Sequence, residues 1–414
     1  MRPKHALAFI FVTVLLDSIG FGIIMPVVPQ LIMDVSGEPL SSAAQYGGWL
    51  MFVYAAMQFF SAPVLGNLSD RFGRRPVLLL SLLLMGGDYL LMGWAPSIAW
   101  LFLGRFIAGI SASTYGIAHA FIADSFPPEE RAKNFALMGA AFGTGFIVGP
   151  VIGGFLGEFG PRAPFYAAAA LAFANVLYGF FVLPESLKPE NRRRFEWKRA
   201  NPFGAFNQLW RYPMVMGLVF AYFFYLIGHH SLPSVWSYFA IEKFGWSPTE
   251  IGFSLGAVGV CMIVVQTYLI RRFLTRYGTE RTAHIGLTMT IIAFLGYAFV
   301  PFGWMMYIVI VVGAAQGFIG ASLQSLMSNQ VPADSQGELQ GALGSMASLV
   351  SILSPPFMTQ TFAWFSAADA PIYFPGAPFL AAAFFTLLGL VAMVRALRLR
   401  RSDRVAAQPG TGPH

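Results

Sequence analysis

Residues 66–76 read Gly-Asn-Leu-Ser-Asp-Arg-Phe-Gly-Arg-Arg-Pro, a short charged stretch between two apolar runs at 45–67 and 76–95. Gly73 permits a tight turn because it has no Cβ, and Pro76 suits the first turn of a following helix. A helix needs about 20 mainly apolar residues to span a membrane, and both runs are that long. The stretch therefore indicates a loop between two membrane-spanning helices, although its arginines alone fit any cytoplasmic loop.

The apolar pattern extends over the whole chain. Of the 414 residues, 56% are hydrophobic and 11% are charged, whereas soluble proteins carry about 25% charged residues. The runs do not alternate with period two, as the strands of a membrane β-barrel do. We therefore predict an all-α membrane protein with twelve transmembrane helices, at 6–33, 45–67, 76–95, 98–124, 133–157, 163–184, 213–240, 249–271, 282–301, 304–331, 338–364 and 373–397.

Basic residues are concentrated in alternate connections between the predicted helices. With the N-terminus in the cytoplasm, 23 of the 26 lysines and arginines fall on the cytoplasmic side. Arg162 and Lys243 fall outside, and Arg105 lies within a helix. Because cytoplasmic loops are enriched in lysine and arginine, both termini are predicted to be cytoplasmic. The net charge of +7 then reflects membrane orientation, and no nucleic-acid partner is expected.

The predicted helices form two sets of six, and the two sets resemble each other. A shift of 205 residues places Arg71-Phe72-Gly73 on Arg276-Tyr277-Gly278 and Pro150 on Pro355. Repeated six-helix bundles are typical of a large class of transporters. We predict an N-terminal bundle at 1–184, a cytoplasmic linker at 185–212, a C-terminal bundle at 213–400 and a disordered tail at 401–414.

The charged stretch at 66–76 resembles the signature loop of the major facilitator superfamily, G-x-L-a-D-r-x-G-r-[KR]. The fourth helix has Leu101-x-x-x-Arg105-x-x-x-Gly109, which is similar to another motif of that superfamily. These resemblances imply two pseudo-symmetric six-helix bundles. They also imply a conformational-switch loop of Gly66, Asp70, Arg71, Gly73, Arg74 and Arg75, and an antiporter-motif helix with Gly145, Gly149, Pro150, Gly153 and Gly154.

Within that superfamily, the chain most resembles the tetracycline/proton antiporters. The similarity lies in residues 17–26, 57–66, 88–89 and 336–341. Some positions depart from the family pattern: Met262 stands where the family has a histidine four residues before Gln266, and Tyr115 and His119 replace glycines. The resemblance and these departures together suggest that the substrate cavity is lined by Gln58, Arg105, Tyr115, Met262, Gln266 and Gln316.

Ionisable residues inside a membrane helix are costly, so they persist where they are paired, hydrated or functional. Asp17 lies about 16 Å into the first helix, near the bilayer midplane, and has no partner apparent in the sequence. Asp88 and Arg105 lie at equal distances from the turn at 96–97, so they share a depth, either as a permanent ion pair or as part of the proton path. His119 follows Arg105 by fourteen residues and is therefore expected on nearly the same helix face. Candidates for proton coupling are Asp17, Asp88, His119, His229 and His230, although a structural role fits each of them too.

These features predict a transporter that exports a small amphiphilic, tetracycline-like compound in exchange for protons by alternating access. The alternative is the same scaffold moving a different metabolite or lipid-like solute, including by symport. Neither a catalytic nor a metal motif is present, so an enzyme is not expected. Without a nucleotide-binding motif, the proton gradient is the expected energy source, with no cofactor. The resemblance implies a monomer in a bacterial-type inner membrane.

Overall fold

The computed structural model describes residues 3–112, 114–194, 213–332 and 335–406. Every regular element in these ranges is helical, which confirms the predicted all-α membrane class. Most of the predicted linker, 195–212, and the last residues of the predicted tail, 407–414, lie outside the described residues.

The first half of the chain begins with a long helix and a short one, and long helices follow. The helices are α1 (Pro3–Ile24), α2 (Val28–Ser36), α3 (Leu40–Phe72), α4 (Arg74–Trp94), α5 (Ile98–Ser111), α6 (Thr114–Ser125), α7 (Pro128–Gly157) and α8 (Ala163–Val182), with a 3₁₀ turn at Pro189–Asn191.

In the described part of the second half, the helix type changes or the helix is interrupted at several places. Its elements are α9 (Pro213–His229), α10 (Ser231–Phe244), α11 (Pro248–Val264), a π-helical segment (Val265–Leu269), α12 (Ile270–Phe299), α13 (Gly303–Gly313), a 3₁₀ turn (Ala314–Gln316), α14 (Gly317–Ser328), α15 (Gln336–Ser366) and α16 (Ala377–Ala406). Because α16 continues to Ala406, helix replaces the first part of the tail that was predicted to be disordered.

Eleven helical segments of the described chain are long and apolar enough to cross a membrane. One of them, Pro248–Phe299, has 52 residues, a length of about 78 Å at 1.5 Å per residue. The hydrocarbon core of a bilayer is only about 30 Å thick. The segment is broken at Gly278, where φ is 73°, so it accounts for two of the twelve predicted crossings. The connection between those two crossings is helical on both sides of Gly278 and contains no long loop.

The interruptions in the two halves follow the predicted repeat. α1 ends at Ile24, and 205 residues later α9 ends at His229. α5 is followed by Ala112, and the same shift leads to Gly317, which follows the 3₁₀ turn at Ala314–Gln316. The helix breaks therefore obey the offset that relates the sequence motifs, which supports an internal duplication of the fold.

The described residues divide into two compact units. The first falls within 1–202, 233–260 and 355–375, so it combines α1–α8 with most of α10, the start of α11 and the end of α15. The second falls within 203–232, 261–354 and 376–414. The division into bundles at 1–184 and 213–400 stays a prediction.

Candidate functional site

Glycines of the antiporter-motif helix hold α7 close to α1, which carries Asp17. A Cβ on Gly145 would lie 2.6 Å from the Cβ of Ser18, and one on Gly153 would lie 2.0 Å from the carbonyl oxygen of Ile23. No side chain fits at such distances, and glycine allows the two backbones to approach. These contacts set the position of the helix that presents Asp17.

The remaining antiporter-motif residues contact two different helices. A Cβ on Gly149 would lie 2.9 Å from the Cα of Gly22, and a Cβ on Gly22 would lie 2.7 Å from the Cδ of Pro150. A Cβ on Gly154 would instead lie 2.6 Å from the carbonyl oxygen of Pro248, in the first turn of α11. α7 is therefore packed tightly on α1 and, at its end, on α11.

Asp88 and Arg105 form a buried ion pair. Nη2 of Arg105 donates a hydrogen bond to Oδ2 of Asp88, and their side chains are 11% and 0% exposed, respectively. Gly104 makes room for the carboxylate, since a Cβ there would lie 2.6 Å from Oδ1 of Asp88. The side chains of α4 and α5 thus face each other at the equal depth that the sequence predicted.

Tyr89 lies beside both Asp17 and the ion pair. Its ring is buried, and its hydroxyl oxygen lies 3.4 Å from a Cβ built on Gly20, one turn after Asp17 on α1. Tyr89 interacts electrostatically with Asp17, Asp88 and Arg105. Oδ1 of Asp17 is buried and has no hydrogen-bond partner among the described residues. Asp17 therefore belongs to the same polar cluster as the ion pair, but within the described part of the chain it forms no ion pair of its own.

Tyr54 on α3 completes this cluster. The guanidinium of Arg105 lies 5.7 Å from the centre of the Tyr54 ring, within cation–π range, and Tyr54 also interacts electrostatically with Asp17 and Asp88. Sequence reasoning did not select either tyrosine. Tyr54 precedes Gln58 by four residues, so both lie on one helix face. That spacing could have identified Tyr54 as a candidate from the sequence. We call these five residues the carboxylate cluster: Asp17, Tyr54, Asp88, Tyr89 and Arg105.

Gln58 forms a hydrogen bond to a residue between α5 and α6. Its Nε2 donates a hydrogen bond of 3.1 Å to the carbonyl oxygen of Ala112, the residue after the end of α5. α5 and α6 meet at Ala112, and the prediction that Arg105 and His119 lie on nearly the same helix face stays a prediction. The His119 ring stacks on the Phe135 ring of α7, with centroids 4.8 Å apart. The side chain of Tyr115 lies outside the described part of the structure.

Polar candidates in the second unit pair with one another. Nδ1 of His229 and Oε1 of Gln316 are 2.9 Å apart, and Nε2 of His230 is 3.3 Å from Oγ of Ser351. Gln316 is buried in the 3₁₀ turn between α13 and α14. The structure therefore brings His229 and Gln316 together and gives His230 a different neighbour.

Met262 and Gln266 lie at the junction of α11 and α12. Gln266 is exposed and falls in the π-helical segment. Met262 is half-buried, and its Cε would lie 3.6 Å from a Cβ on Gly317, the residue after Gln316. Met262 is thus near the 3₁₀ turn, and the role of both residues in a substrate cavity stays a prediction.

The predicted switch loop is centred on Arg74. Its guanidinium lies 2.5 Å from the carboxylate of Asp70 and 2.9 Å from that of Asp124, and Nη1 donates to Oγ of Ser69 at 2.6 Å. Arg74 is buried despite its charge. Two carboxylates compensate that charge and the hydroxyl accepts a hydrogen bond, as burial of an ion requires.

Glu185 fixes the turn of the same loop. Its carboxylate accepts hydrogen bonds from the backbone N–H groups of Arg74 at 2.8 Å and Arg75 at 3.3 Å. These groups begin α4 and have no partner within the helix. Gly73 has a φ of 107°, and a Cβ there would lie 2.2 Å from Oε2 of Glu185. Glycine is therefore required at this turn both by conformation and by the nearby carboxylate.

The other residues of the predicted switch loop make weaker contacts. The guanidinium of Arg75 donates to the carbonyl oxygen of Phe180 at 2.6 Å. Arg71 is exposed, with its guanidinium 4.9 Å from the centre of the Phe72 ring. A Cβ on Gly66 would meet nothing within 4 Å. The network depends on Arg74 and Glu185, and neither Asp124 nor Glu185 was selected from the sequence.

Comparisons of the chain with known proteins agree with this architecture. A family model described as Major Facilitator Superfamily matches residues 10–355 and 218–413. The chain is 39% identical over 363 residues to the tetracycline resistance protein, class C, of Escherichia coli, covering 88% of this chain and 91% of that protein. It is 36% identical over 347 residues to the class B protein of Escherichia coli, covering 83% and 85%. The resemblance to the tetracycline antiporters is confirmed at the level of sequence.

Solved structures give the same fold. The nucleoside transporter NupG has a TM-score of 0.76 at 15% identity, covering 96% of this chain and all of that chain. The human organic anion transporter MFSD10 (TETRAN) has a TM-score of 0.67 at 23% identity, covering 95% and 100%. At these identities the likeness concerns the fold, and it confirms the predicted fold class.

Proposed function

This chain belongs to the major facilitator superfamily, and from that premise we propose that it exports a small amphiphilic, tetracycline-like compound in exchange for protons. One observation carries the proposal: the buried, unpaired carboxylate oxygen of Asp17 beside the Asp88–Arg105 ion pair. An intramembrane carboxylate without a partner is costly unless it binds a proton or a ligand. The names of the relatives supply the substrate class.

Charge balance supports exchange at this cluster. With both carboxylates ionised and Arg105 protonated, the five residues carry one net negative charge. One proton on Asp17 neutralises the cluster, and so does one positive group of a substrate. Two ligands that neutralise the same charge compete, and such competition couples their affinities with opposite sign, as antiport requires.

Asp17 is better suited than Asp88 to accept the proton. Arg105 donates a hydrogen bond to Asp88 and stabilises its ionised form. Asp17 has no comparable donor among the described residues. In our proposal a proton from outside binds Asp17 and weakens substrate binding, and the protein then returns to the state that is open to the cytoplasm.

The rest of the proposal follows from the superfamily. The chain is a multi-pass membrane protein, and we propose that it works as a monomer in a bacterial inner membrane with both termini cytoplasmic. The proton gradient supplies the energy, without a cofactor or a nucleotide. The alternative is a different solute, including one moved by symport. Met262 favours this alternative, because it replaces a titratable histidine of the family with an apolar side chain.

Transport into proteoliposomes under an imposed pH gradient tests the proposal. A panel of planar drugs including tetracycline is compared for wild type, Asp17→Asn and, as a matched control, Asp369→Asn, whose carboxylate is exposed and outside the cluster. We expect wild type and the control to accumulate substrate against the gradient and to release protons on binding it, and Asp17→Asn to lose both. Unchanged exchange in Asp17→Asn removes Asp17 from the mechanism, and proton uptake together with substrate establishes symport.

A further inference from the structure

The first part of α12 repeats the switch loop of the first half without its acidic residues. The 205-residue shift that relates the two halves places Asp70 on Thr275 and Asp124 on Asn329. In the first half, those two carboxylates compensate the charge of Arg74. The corresponding positions of the second half carry no charge, although the arginines of the loop are kept.

The arginines of α12 are not neutralised by ion pairs within the part of the chain that the structure describes. α12 contains four arginines and one acidic residue, Glu280. All four arginines are exposed, and none forms an ion pair with a described residue: Arg271, Arg272, Arg276 and Arg281. The second half therefore presents at its surface a positive charge that the first half compensates internally.

The end of α16 brings further arginines to the same level. α12 packs against α16, and the rings of Tyr297 and Phe379 have centroids 5.5 Å apart. The helices run in opposite directions, because core residues from the start of α12 and the end of α16 share one cluster. Arg281 lies sixteen residues before Tyr297, and Arg395 lies sixteen residues after Phe379. At 1.5 Å per residue, both arginines lie about 24 Å from the ring contact. In the first half, the acidic Glu185 lies beside the start of the corresponding helix, α4.

Both helices expose an apolar face that ends in arginine. Positions 281, 292, 295 and 299 share one face of α12, and positions 384, 387, 391, 395 and 398 share one face of α16. Apart from the arginines, these positions carry hydrophobic side chains that are 40–61% exposed: Ile292, Leu295, Phe299, Phe384, Leu387 and Val391. Acyl chains fit such apolar faces, and basic groups at the membrane surface attract anionic headgroups.

We propose that an anionic phospholipid binds at this end of α12 and α16. Its phosphate contacts Arg281, Arg395 and Arg398, and its acyl chains lie along the two apolar faces. Arginine suits this partner because a guanidinium donates two parallel hydrogen bonds to a phosphate. The lipid supplies from the membrane the negative charge that Glu185 supplies within the first half. A zwitterionic lipid is a poorer partner, because its ammonium group balances its own phosphate.

Native mass spectrometry of the purified full-length protein in detergent tests this site. Phosphatidylglycerol is the anionic probe and phosphatidylethanolamine the zwitterionic one, and inorganic phosphate is added as a competitor to distinguish a lipid from a free anion. Wild type is compared with the double variant Arg281→Gln/Arg395→Gln. The matched control is Arg193→Gln/Arg194→Gln, which also removes two exposed arginines. Melting temperatures without lipid establish that each variant is folded.

We expect wild type and the control to bind the first phosphatidylglycerol at least about tenfold more tightly than phosphatidylethanolamine, since each arginine at a membrane surface favours an anionic lipid by roughly fivefold. Arg281→Gln/Arg395→Gln should bind both lipids with equal affinity. Arg395→Glu, which introduces a carboxylate at this level, should lose the preference as well. Equal affinities in wild type overturn the site, and so does a tenfold preference that persists in the double variant. Displacement of phosphatidylglycerol by millimolar phosphate assigns the arginines to a free anion and overturns the lipid site.

Discussion

The carboxylate of Glu185 accepts a hydrogen bond of 2.8 Å from the backbone N–H of Arg74, although 111 residues separate the two in the chain. The contact places a negative charge at the first turn of α4, where the helix dipole and the unpaired N–H groups favour it. It also joins the end of α8 to the predicted switch loop. Glu185 thereby acts as a cap supplied by a distant segment.

Replacement of this cap should loosen the switch loop. We expect Glu185→Ala to cost about 1 kcal/mol of stability, as loss of a helix cap does, and to lower the transport rate at equal expression. Thermal unfolding in detergent measures the first effect and proteoliposome uptake the second. The control is Glu190→Ala, whose exposed carboxylate lies 3.8 Å from Lys188. Equal melting temperatures for the two variants contradict the capping role.

Gly104 should be intolerant of even one added methyl group. Its absent Cβ would lie 2.6 Å from Oδ1 of Asp88 and 3.0 Å from Cγ of Met92, so Gly104→Ala must displace the buried carboxylate or the helix. We expect a loss of about 1–3 kcal/mol and a severe loss of transport. Gly87→Ala is the matched control, because a Cβ there meets nothing within 4 Å. Equal transport by the two alanine variants shows that the position of Asp88 is not critical.

Short-range features of this fold were predictable from the sequence, and contacts between distant segments were not. The turn at 96–97 fixed the depths of Asp88 and Arg105, because antiparallel helices joined by a short turn keep register. Their mutual orientation depends on helix rotation, which packing sets. The contact of Glu185 with α4 also depends on the packing of distant segments, so it could not be predicted from the sequence. The end of α5 at Ser111 was likewise not predicted, and the carbonyl oxygen of the next residue, Ala112, accepts a hydrogen bond from Gln58, which is 54 residues earlier in the chain.

A double-mutant cycle at Asp88 and Arg105 can distinguish the contribution of the pair to stability from its contribution to transport. Asp88→Asn removes the carboxylate that is hydrogen-bonded to the buried guanidinium of Arg105, and breaking such a buried pair costs about 3–5 kcal/mol. Arg105→Gln leaves the buried carboxylate of Asp88 without its guanidinium partner, at a similar cost in stability. We expect the double variant to regain much of the lost stability in thermal unfolding and to remain inactive in transport. Recovery of transport as well assigns the pair a purely structural role.

Glu158 provides a prediction about pH. It follows the end of α7, and its Oε1 accepts hydrogen bonds from the hydroxyl of Thr249 at 2.8 Å and from its backbone N–H at 3.4 Å. The hydrogen bond from the Thr249 hydroxyl is the main cause that lowers the pKa of Glu158 below its ordinary value of 4.5. Because the pKa is lower in the folded protein, the contribution of this contact is complete above pH 4.5 and is lost as the pH falls through the folded-state value.

Melting temperatures of wild type and Glu158→Gln across pH test this sign. Wild type should be the more stable at pH 7 and at pH 5, and the difference should vanish only below about pH 4.5. Thr249→Val should remove the same increment at pH 7, and the double variant should lose no more than either single one, since both substitutions break one contact. A difference that grows as the pH falls, or losses that add in the double variant, show that the carboxylate of Glu158 does not hold the first turn of α11 through Thr249.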